Sequence, residues 1–524
     1  MNLIGKNIST PSLALLPLLL GVADHASIAM AQSFGTFTAT GSMTVPRAFH
    51  TATLLPDGKV LIAGGGSATL ELYDPVAGTF TATATTASAI IGAATLLPNG
   101  TVLLIEATET QTLPPSFLYT RNAELYDPAT GTVTPTASTI DGQTGYSATL
   151  LTNGKVLMTG GNYADSDDSK AANPELYDPS SRAFSLAGPY ADTGARSGAG
   201  ASGLIGMPAT LLPDGNVLIA SESAAEIFDP VNNGFHVTAG MTATFNAGVF
   251  GILKPDTLQG RSATLLPNGM VLLTGGEPVE ADFSTGYTAL NTAELYDFLG
   301  ATFTPTGNLT ASRYSHAQTL LTDGTVLITG GAGYSNYGLF LGGLASAELF
   351  SSSTGTFTAT GSMTTRRVGH TATLLNDGRV LISGGSQLQP GSVGPASGLS
   401  GAELYTPAAA VPAPSLFSMS GDGKGQGAIW HAQTGQIASA DDPAVAGDAL
   451  SMYTTSLADG GVIPPQVAIG GQLGQVLYFG AAPGYPGYYQ VNFAMPDSVP
   501  PGAAVPVRLT YIGRSSNAVT IGVR

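Results

Sequence analysis

The chain has 524 residues, no cysteine and only 10% charged residues, together with 69 glycines and 34 prolines. This composition excludes disulfide bonds and thiolate metal sites, and it favours short strands joined by turns over long helices. The formal net charge of −17, with no cluster of Lys and Arg, argues against nucleic acid or an anionic membrane surface as a partner.

The first 31 residues have the pattern of an export signal. Lys6 supplies a positive start, residues 13–23 are apolar, and residues 29–31 offer a small-residue cleavage site. We therefore expect a mature chain that begins at Gln32 and is secreted, either periplasmic or extracellular. No later run approaches the roughly 20 apolar residues of a spanning helix, so we expect no membrane span.

Seven copies of a hairpin signature follow. Each copy places Asp-Gly or Asn-Gly between two apolar runs, as in LLPDGKVLI from residue 54. These dipeptides predict type I′ turns, because Asp, Asn and Gly tolerate a positive φ. A period near 50 residues built from strands is in the range of β-propellers. Successive turn glycines lie 42 to 61 residues apart, at Gly58, Gly100, Gly154, Gly215, Gly269, Gly324 and Gly378.

A second motif, AELYDP or a variant of it, follows every hairpin. In six copies a bulky apolar residue stands seven positions after the aromatic residue of the motif, as Phe80 does after Tyr73. This constant offset predicts two more antiparallel strands joined by a tight turn, so each repeat should supply four strands. The motif glutamates are Glu71, Glu124, Glu175, Glu226, Glu294, Glu348 and Glu403.

The seventh copy lacks the second aromatic residue, because Pro412 stands seven positions after Tyr405. The decapeptide GTFTATGSMT occurs at residues 35–44 and again at residues 355–364, and Phe37 in the first copy matches Phe357 in the second. We therefore predict that residues 35–43 form the outer strand of the last repeat and close the ring.

These features resemble the kelch family, whose repeat carries a glycine doublet after its second strand and then a spaced aromatic pair. Two repeats depart from this pattern, with Glu106 and Ala107, and Ser221 and Glu222, in place of the doublet. The resemblance covers residues 35–407. It implies an all-β fold in which residues 32–411 form a seven-bladed kelch-like β-propeller closed by an N-terminal strand. The doublets stand at Gly64–Gly65, Gly160–Gly161, Gly275–Gly276, Gly330–Gly331 and Gly384–Gly385.

The hairpin repeat stops after Pro412, and residues 412–524 contain short apolar runs between Gly and Pro turns. This spacing is typical of a β-sandwich. Segments such as VLYFGAAPGYPGYYQVNFAMP resemble the immunoglobulin-like module at the C-terminus of secreted proteins of soil bacteria. The resemblance implies a separate immunoglobulin-like domain over residues 412–524, with a role in spacing, packing or adhesion.

A kelch propeller followed by an immunoglobulin-like domain is also the arrangement of galactose oxidase and its relatives. That resemblance implies a copper radical oxidase, whose site requires a tyrosine crosslinked to a cysteine, a second tyrosine and histidines. Because this chain has no cysteine, the crosslinked cofactor cannot form. We expect neither that activity nor any cofactor.

Three histidines share one repeat position. His50, His316 and His370 directly precede the innermost predicted strands of the first, sixth and seventh repeats, in RAFH, RYSH and RVGH. Three imidazoles near the channel mouth would suit a metal such as zinc. We favour the alternative, in which they tie adjacent blades together. The motif glutamates are candidates for paired acid–base catalysis, but their presence in every repeat favours a scaffold role.

The connections between second and third strands vary most in length, and variable loops on a rigid scaffold are where binding usually resides. Tyrosine and asparagine suit a neutral polar ligand such as a glycan. Strand alternation puts these connections on the same face as the connections between blades, and the Asp-Gly hairpins on the other face. The candidate binding residues are Tyr119, Arg121, Tyr163, Tyr287, Tyr334, Asn336 and Tyr337.

These patterns favour a secreted, monomeric, non-enzymatic protein that recognises a glycan or protein partner through one propeller face. Two alternatives stay open. A propeller enzyme without a copper radical, such as a lyase, hydrolase or sugar epimerase, would show titratable residues converging in a deep pocket. A structural cell-surface protein would show neither such a pocket nor an aromatic rim.

Overall fold

The computed structural model describes residues 35–106, 109–111, 117–119, 121–141, 144–165, 168–171, 173–191, 208–220, 225–241, 258–278, 289–334, 340–388, 397–457 and 461–524. Every regular element in these ranges is a β-strand. No helix of the described residues is long and apolar enough to cross a membrane. Residues 34–524 belong to one compact unit. The predicted signal segment, residues 1–31, lies outside the described residues.

Among the described residues, seven antiparallel sheets share one topology, and they correspond to the seven sequence repeats. Each has four main strands, here called a to d, which are hydrogen-bonded in that order from one edge of the sheet to the other, and sheet 3 has a fifth short strand paired with the end of its b strand. In sheets 1 to 6 the four strands are consecutive repeat strands, whereas sheet 7 takes its d strand from the N-terminus.

The strand bounds, given in the order a to d, are as follows: sheet 1, His50–Leu54, Val60–Gly64, Thr69–Asp74 and Thr79–Thr85; sheet 2, Ile91–Leu96, Val102–Glu106, Ala123–Asp127 and Thr132–Pro135; sheet 3, Thr144–Leu150, Val156–Asp165, Glu175–Asp178 and Ala183–Leu186; sheet 4, Ala209–Leu211, Val217–Ala220, Ala225–Asp229 and Gly234–Val237; sheet 5, Ser262–Leu265, Val271–Thr274, Ala293–Asp297 and Thr302–Pro305; sheet 6, Ala317–Leu320, Val326–Thr329, Ala347–Ser351 and Thr356–Ala359; sheet 7, Thr371–Leu374, Val380–Ser383, Ala402–Thr406 and Thr36–Ala39.

The turns between a and b strands are not the predicted type I′ turns. In sheet 1 only Gly58 of the turn has a positive φ, of 87°, and its N–H donates to the carbonyl of Leu55. This geometry belongs to a three-residue hairpin loop, in which a type I turn is followed by a left-handed glycine. Pro56 suits the second residue of a type I turn, but the turns with Thr152, Thr322 and Asn376 at this position have the same left-handed glycine, so the loop length of three residues sets the turn type. The Asp57 carboxylate accepts the next backbone N–H, from Lys59, at 3.1 Å.

The predicted aromatic pairs lie directly opposite each other on c and d strands. Tyr73 and Phe80 are register partners with ring centroids 4.8 Å apart. The predicted N-terminal outer strand is confirmed as well. Phe37 is the register partner of Tyr405, and their ring centroids are 4.9 Å apart. The repeated decapeptide therefore supplies the strand that the seventh repeat lacks.

The seven sheets are arranged radially. Each a strand contacts the a strands of the preceding and following sheets, and the a strand of sheet 7 contacts that of sheet 1. Apolar side chains are buried between neighbouring sheets, so that Ile62 of sheet 1 belongs to the same core cluster as Leu381 and Leu404 of sheet 7. This architecture is a β-propeller. Its rigidity comes from burial between sheets, since the chain has no disulfide.

The connections between b and c strands contain additional strands where the sequence predicted loops. Three of them fold back as short hairpins, and one two-residue strand pairs with the segment before the a strand of sheet 5. Their bounds are Glu109–Gln111 with Phe117–Tyr119, the end of Val156–Asp165 with Asp168–Ala171, Ala332–Tyr334 with Phe340–Gly343, and Leu258–Gln259 with Glu277–Pro278.

The C-terminal segment forms two antiparallel sheets around one apolar core. The first, here called sheet 8, has the strand order Ile429–His431, Ala449–Thr454, Tyr489–Ala494 and Val476–Ala481. The second, sheet 9, has the order Gln472–Gly474, Gln466–Ile469, Gly502–Tyr511 and Arg514–Ser515, with Val519–Val523 also paired to the long strand.

Candidate functional site: the loop face of the propeller

The propeller has two faces of different construction. The face that carries the b-to-c connections and the connections from one sheet to the next is called here the loop face, and the opposite face, with the Asp-Gly turns, the hairpin face. Isolated β-bridges join the two kinds of connection, from Arg47 to Leu399 and from Val368 to Ser386. The two kinds of connection therefore share one face, as strand alternation predicts.

Buried ion pairs fix the loop-face connections to their own sheets. Nη2 of Arg47 lies 3.0 Å from Oε1 of the motif residue Glu71, and Nη1 donates to the carbonyl of Gly64 at 2.6 Å. The second oxygen of Glu71 accepts the backbone N–H of Thr44 at 2.7 Å. Every strong acceptor of this carboxylate is thus occupied within the scaffold. The same kind of pair recurs as Arg261–Glu294, Arg313–Glu348 and Arg367–Glu403.

Arg261 stands at the repeat position of the histidines rather than three residues before it, where Arg47, Arg313 and Arg367 stand. Counted back from the paired leucines, Arg261 matches His50, and Tyr146 matches His50 in the third repeat. The Tyr146 hydroxyl donates to the carbonyl of Glu106 in the preceding sheet at 2.8 Å. Alignment on the leucines would have identified both residues.

Sheet 2 replaces the ion pair with two carboxyl groups. Ala89 stands where Arg47 stands in the first repeat, and the buried Glu124 has Glu106 beside it instead of a guanidinium. Burial first, and then Glu106, raises the pKa of Glu124 above its ordinary value. Asn122 Nδ2 donates to Glu106 at 2.9 Å, and the backbone N–H of Ala87 donates to Glu124 at 3.2 Å. Both groups are buried, with 2% of Glu106 and 8% of Glu124 exposed.

The three histidines at the shared repeat position are buried and bonded to hydroxyl groups of the preceding sheet around the ring. Nε2 of His370 lies 2.8 Å from Oγ1 of Thr329, and Nε2 of His50 lies 3.1 Å from Oγ of Ser383. Nε2 of His316 lies 2.8 Å from Oγ1 of Thr274. Burial lowers the pKa of His50 and His370 to about 3, so these rings are neutral at ordinary pH. Each ring therefore ties two sheets together.

The residues directly before these positions form a backbone-linked row at the inner edge of the loop face. The N–H of Phe49 donates to the carbonyl of Gly369 at 2.8 Å. In the same way, the N–H of Gly369 donates to the carbonyl of Ser315 at 3.1 Å, and the N–H of Ser315 donates to the carbonyl of Gly260 at 3.0 Å. All four have positive φ angles, from 49° at Ser315 to 68° at Gly260. Glycine or a small residue suits this conformation, since a bulky side chain in it is strained.

Phe49 is a bulky residue at this position of the row. It is a site residue that the sequence comparison of the repeats did not identify. It has a φ of 54°, yet its side chain is 67% exposed. The ring packs over Gly369, where an added Cβ would lie 2.6 Å from Phe49 Cε1. Repeats 3, 4, 5 and 7 carry glycine at the same position. That contrast is the sequence signal that would have singled out Phe49.

Four of the predicted binding residues lie within the described residues, and Arg121 is the one whose side chain is described. Arg121 is exposed, and its carbonyl accepts the N–H of Thr139 at 2.8 Å. Tyr119, Tyr163 and Tyr334 lie in the short additional strands rather than in irregular loops. Tyr287, Asn336 and Tyr337 lie outside the described residues.

The hairpin face is in contact with the C-terminal segment. Arg508 Nη1 donates to the carbonyl of Pro56 at 3.4 Å. The N–H of Val462 donates to the carbonyl of Pro267 at 3.0 Å. Between this face and sheet 9 lies a cavity of about 1140 Å³. Among the described residues, its lining includes Asp57 from the turn of sheet 1, Asn99 from the Asn-Gly turn of sheet 2 and small residues such as Gly470 and Gly502, with Arg508 as the one Lys or Arg.

Comparison with known proteins bears on the fold. Among solved structures, a fungal alcohol oxidase of the AA5 family in complex with copper aligns with 94% of this chain and 99% of its own, with a TM-score of 0.57 and 15% identity. The chain shares the fold of that oxidase. A second structure, YjhT, covers 69% of this chain and 96% of its own, with a TM-score of 0.42 and 13% identity. No family model and no curated protein sequence matches the chain.

The copper of the fungal oxidase prompts a test of the donor groups in this chain. A thioether-linked tyrosine requires cysteine, and the sequence has none. Within the described residues, no three His, Cys, Asp or Glu side chains are grouped so that they could hold one metal ion. The three buried histidines already use Nε2 for bonds between sheets. The residues present do not fit a copper radical centre, and no chemistry through copper is derived for this chain.

Proposed function

We propose that the chain is an exported binding protein in which the seven sheets are the blades of one propeller, followed by an immunoglobulin-like domain over residues 412–524. The loop face recognises a glycan or protein partner. Recognition, rather than catalysis, is the function that the polar groups of the repeats support best, because their carboxylates, guanidiniums and imidazoles are buried and paired within the scaffold.

Phe49 is the observation that carries this proposal. Its left-handed backbone costs on the order of 1–3 kcal/mol, and its exposed ring recovers little of that cost by burial within the chain. Strain of this kind persists where function requires a side chain to point outwards. An exposed aromatic ring beside the channel, fixed by backbone bonds to Gly369, offers a flat surface for a sugar ring or an apolar side chain.

The position of the C-terminal segment supports the choice of face. Sheet 9 and its flanking turns contact the Asp-Gly turns, so a large partner has less access to the hairpin face. The loop face also carries exposed Arg121 and Arg366, two polar groups suited to hydrogen bonds with hydroxyl or carbonyl oxygens.

The experiment is a glycan array probed with the mature chain, followed by affinity measurements on the best glycan with three variants. Phe49→Ala removes the exposed ring described above, and Tyr334→Ala and Tyr337→Ala each remove an aromatic ring from the sequence between the b and c strands of sheet 6. We expect at least one of them to weaken binding about tenfold or more, the equivalent of about 1.4 kcal/mol. Phe49→Ala should also leave the melting temperature near that of the unsubstituted chain, because the ring is exposed.

Val76→Ala is the matched control, since Val76 is an almost fully exposed apolar residue in the c-to-d turn of sheet 1. It should leave affinity unchanged. Binding that survives all three loop-face changes but falls when Asn99 or another residue of the Asp-Gly turns is changed would place recognition on the hairpin face and overturn the proposal.

A further inference from the structure

Sheet 8 presents an aromatic outer surface that no part of the preceding argument uses. Alternation along its strands directs Leu450, Met452, Val491 and Phe493 into the core. The intervening positions therefore point outwards. They include Trp430, which is the single tryptophan of the chain, together with Tyr453 and Tyr478. With Tyr485 from the adjacent turn, these four side chains are called here the aromatic face.

Three rings of the aromatic face, those of Trp430, Tyr453 and Tyr485, are in contact with one another in a row. The centroids of Trp430 and Tyr453 are 5.1 Å apart in an edge-to-face contact, and those of Tyr453 and Tyr485 are 5.9 Å apart. Tyr478 and Tyr485 are 45% and 46% exposed. Large aromatic side chains normally find burial in a folded protein, so a connected group that remains exposed marks an interaction surface.

A ladder of polar groups lies among these rings. Ser451 Oγ and Gln490 Nε2 both donate to Oδ1 of Asn492, at 2.7 and 2.9 Å. Ser451 is the register partner of Trp430, and Asn492 that of Tyr478, so the polar ladder runs between the aromatic side chains. These bonds fix the two amides in position and leave Nδ2 of Asn492 and Oε1 of Gln490 for a ligand.

The outward positions of the four strands carry no charged side chain. Besides the aromatic residues and the polar ladder, they hold Ala449, Gly480 and Ala494, and the exposed Leu477 lies at the bulge of the Val476–Ala481 strand. A neutral ligand fits this surface better than a phosphorylated, acidic or basic one, because an ionic ligand would find no countercharge there.

We propose that the aromatic face binds a neutral polysaccharide, independently of the loop face. A pyranose ring has an apolar C–H face and hydroxyl groups around its edge. The aromatic face matches both features, with the rings of Trp430, Tyr453 and Tyr485 stacking on C–H faces and the amides of Gln490 and Asn492 bonding to hydroxyl groups. The C-terminal segment is then a second carbohydrate-binding site and anchors the propeller to a polymeric surface.

The test is affinity electrophoresis of the mature chain in gels that contain hydroxyethylcellulose, galactomannan or starch. We expect retardation in at least one of the three gels. Tyr453→Ala and Tyr485→Ala should each raise the dissociation constant about tenfold, whereas Phe49→Ala on the loop face should not change it. Leu299→Ala, at an exposed apolar site on the propeller, is the control for a general loss of surface hydrophobicity.

Tyr485 lies in an exposed turn, so its alanine variant keeps the test valid if Tyr453→Ala fails to fold. No retardation in any of the three gels contradicts the proposal, as does retardation that survives both tyrosine changes. A dimer seen by sedimentation velocity and abolished by Tyr485→Ala would assign the face to self-association instead, which also overturns it. Loss of binding in Phe49→Ala alone would support the loop face and refute the aromatic face.

Discussion

Nη2 of Arg367 lies 3.0 Å from Oε1 of Glu403, and both side chains are buried. The same guanidinium donates to the carbonyls of Gly384 and Gly401 at 2.7 and 2.8 Å, and the second carboxylate oxygen accepts the N–H of Thr364 at 2.6 Å. One ion pair thus joins the connection that enters sheet 7 to its b and c strands. The glycine doublet belongs to this arrangement, because the carbonyl of its first residue, Gly384, accepts a hydrogen bond from Arg367.

Removal of Arg367 should destabilise the propeller strongly. Arg367→Met leaves the Glu403 carboxylate buried without its partner, a change that typically costs about 3–5 kcal/mol of unfolding free energy. The neighbouring Arg366 is exposed, so Arg366→Met is a matched control with a change within about 0.5 kcal/mol. Urea denaturation followed by tyrosine fluorescence measures both. Equal stability of the two variants would refute the structural role of the ion pair.

Replacement of Glu124 should stabilise the fold at neutral pH, in contrast to the replacement of Arg367. Because burial and Glu106 raise its pKa, the folded state holds this proton more tightly than the unfolded state, so ionised Glu124 destabilises the fold above its folded pKa. Glu124→Gln should therefore stabilise the protein at pH 7, by about 1.4 kcal/mol for each unit of the shift. The gain should fade as the pH falls towards about 4.3, the ordinary pKa of a glutamate.

Melting temperatures of Glu124→Gln and of the unsubstituted chain between pH 4 and pH 8 test this. Glu403→Gln is the control, since it breaks the ion pair with Arg367 and should destabilise at pH 7. If Glu124→Gln were destabilised by the same amount at pH 4 and at pH 8, the result would contradict a Glu124 whose pKa is raised by burial and by the nearby Glu106 carboxyl group.

His370 should make the fold sensitive to acid. Its pKa is lowered to about 3 by burial, so the unfolded state takes up a proton below about pH 6.5 while the folded state does not. Stability should therefore fall as the pH decreases from about 6.5 towards 3, by ~3 kcal/mol at pH 4 from this residue. His370→Asn should reduce that loss, measured by denaturant unfolding at pH 7 and pH 4.

The N-terminal strand should be necessary for the stability of sheet 7. Deletion of residues 32–44 removes the partner of Ala402–Thr406, exposes that edge and uncovers Tyr405, which is fully buried. We expect a sharply lower melting temperature and a tendency to aggregate through the free edge. Phe37→Ala, which keeps the backbone pairing but loses the contact with Tyr405, should have a smaller effect. An unchanged melting temperature after the deletion would refute the closure.

The features that sequence could predict are those set by short spacings. The left-handed glycine of each turn and the seven-residue offset between Tyr73 and Phe80 are local, and they led to the correct strand order. Even the distant pairing of Phe37 with Tyr405 followed from a missing partner. The predicted turn type was wrong because the hairpin loop has three residues rather than two, which places the Asp-Gly dipeptide one position later in the turn than a type I′ turn requires.

The site was less predictable because its features depend on contacts between distant repeats. Glu124 and Glu71 occupy the same motif, yet one lies beside a carboxyl group and the other beside a guanidinium. The exposure of Phe49 depends on how its ring sits over Gly369, 320 residues later in the chain. The outward direction of Tyr453 and Asn492 became clear only from the register of sheet 8.

The most direct test of loop-face recognition uses the absence of cysteine from the sequence, because a single introduced thiol can be labelled without side reactions. Arg366→Cys on the loop face and Lys155→Cys on the hairpin face are each coupled to polyethylene glycol maleimide, in a Tyr453→Ala background that removes the proposed second site. Binding to the best glycan of the array is then measured. The account predicts that the polymer at position 366 abolishes binding, whereas the polymer at position 155 leaves it intact. Binding that persists with the loop face blocked, and is lost with the hairpin face blocked, would contradict it.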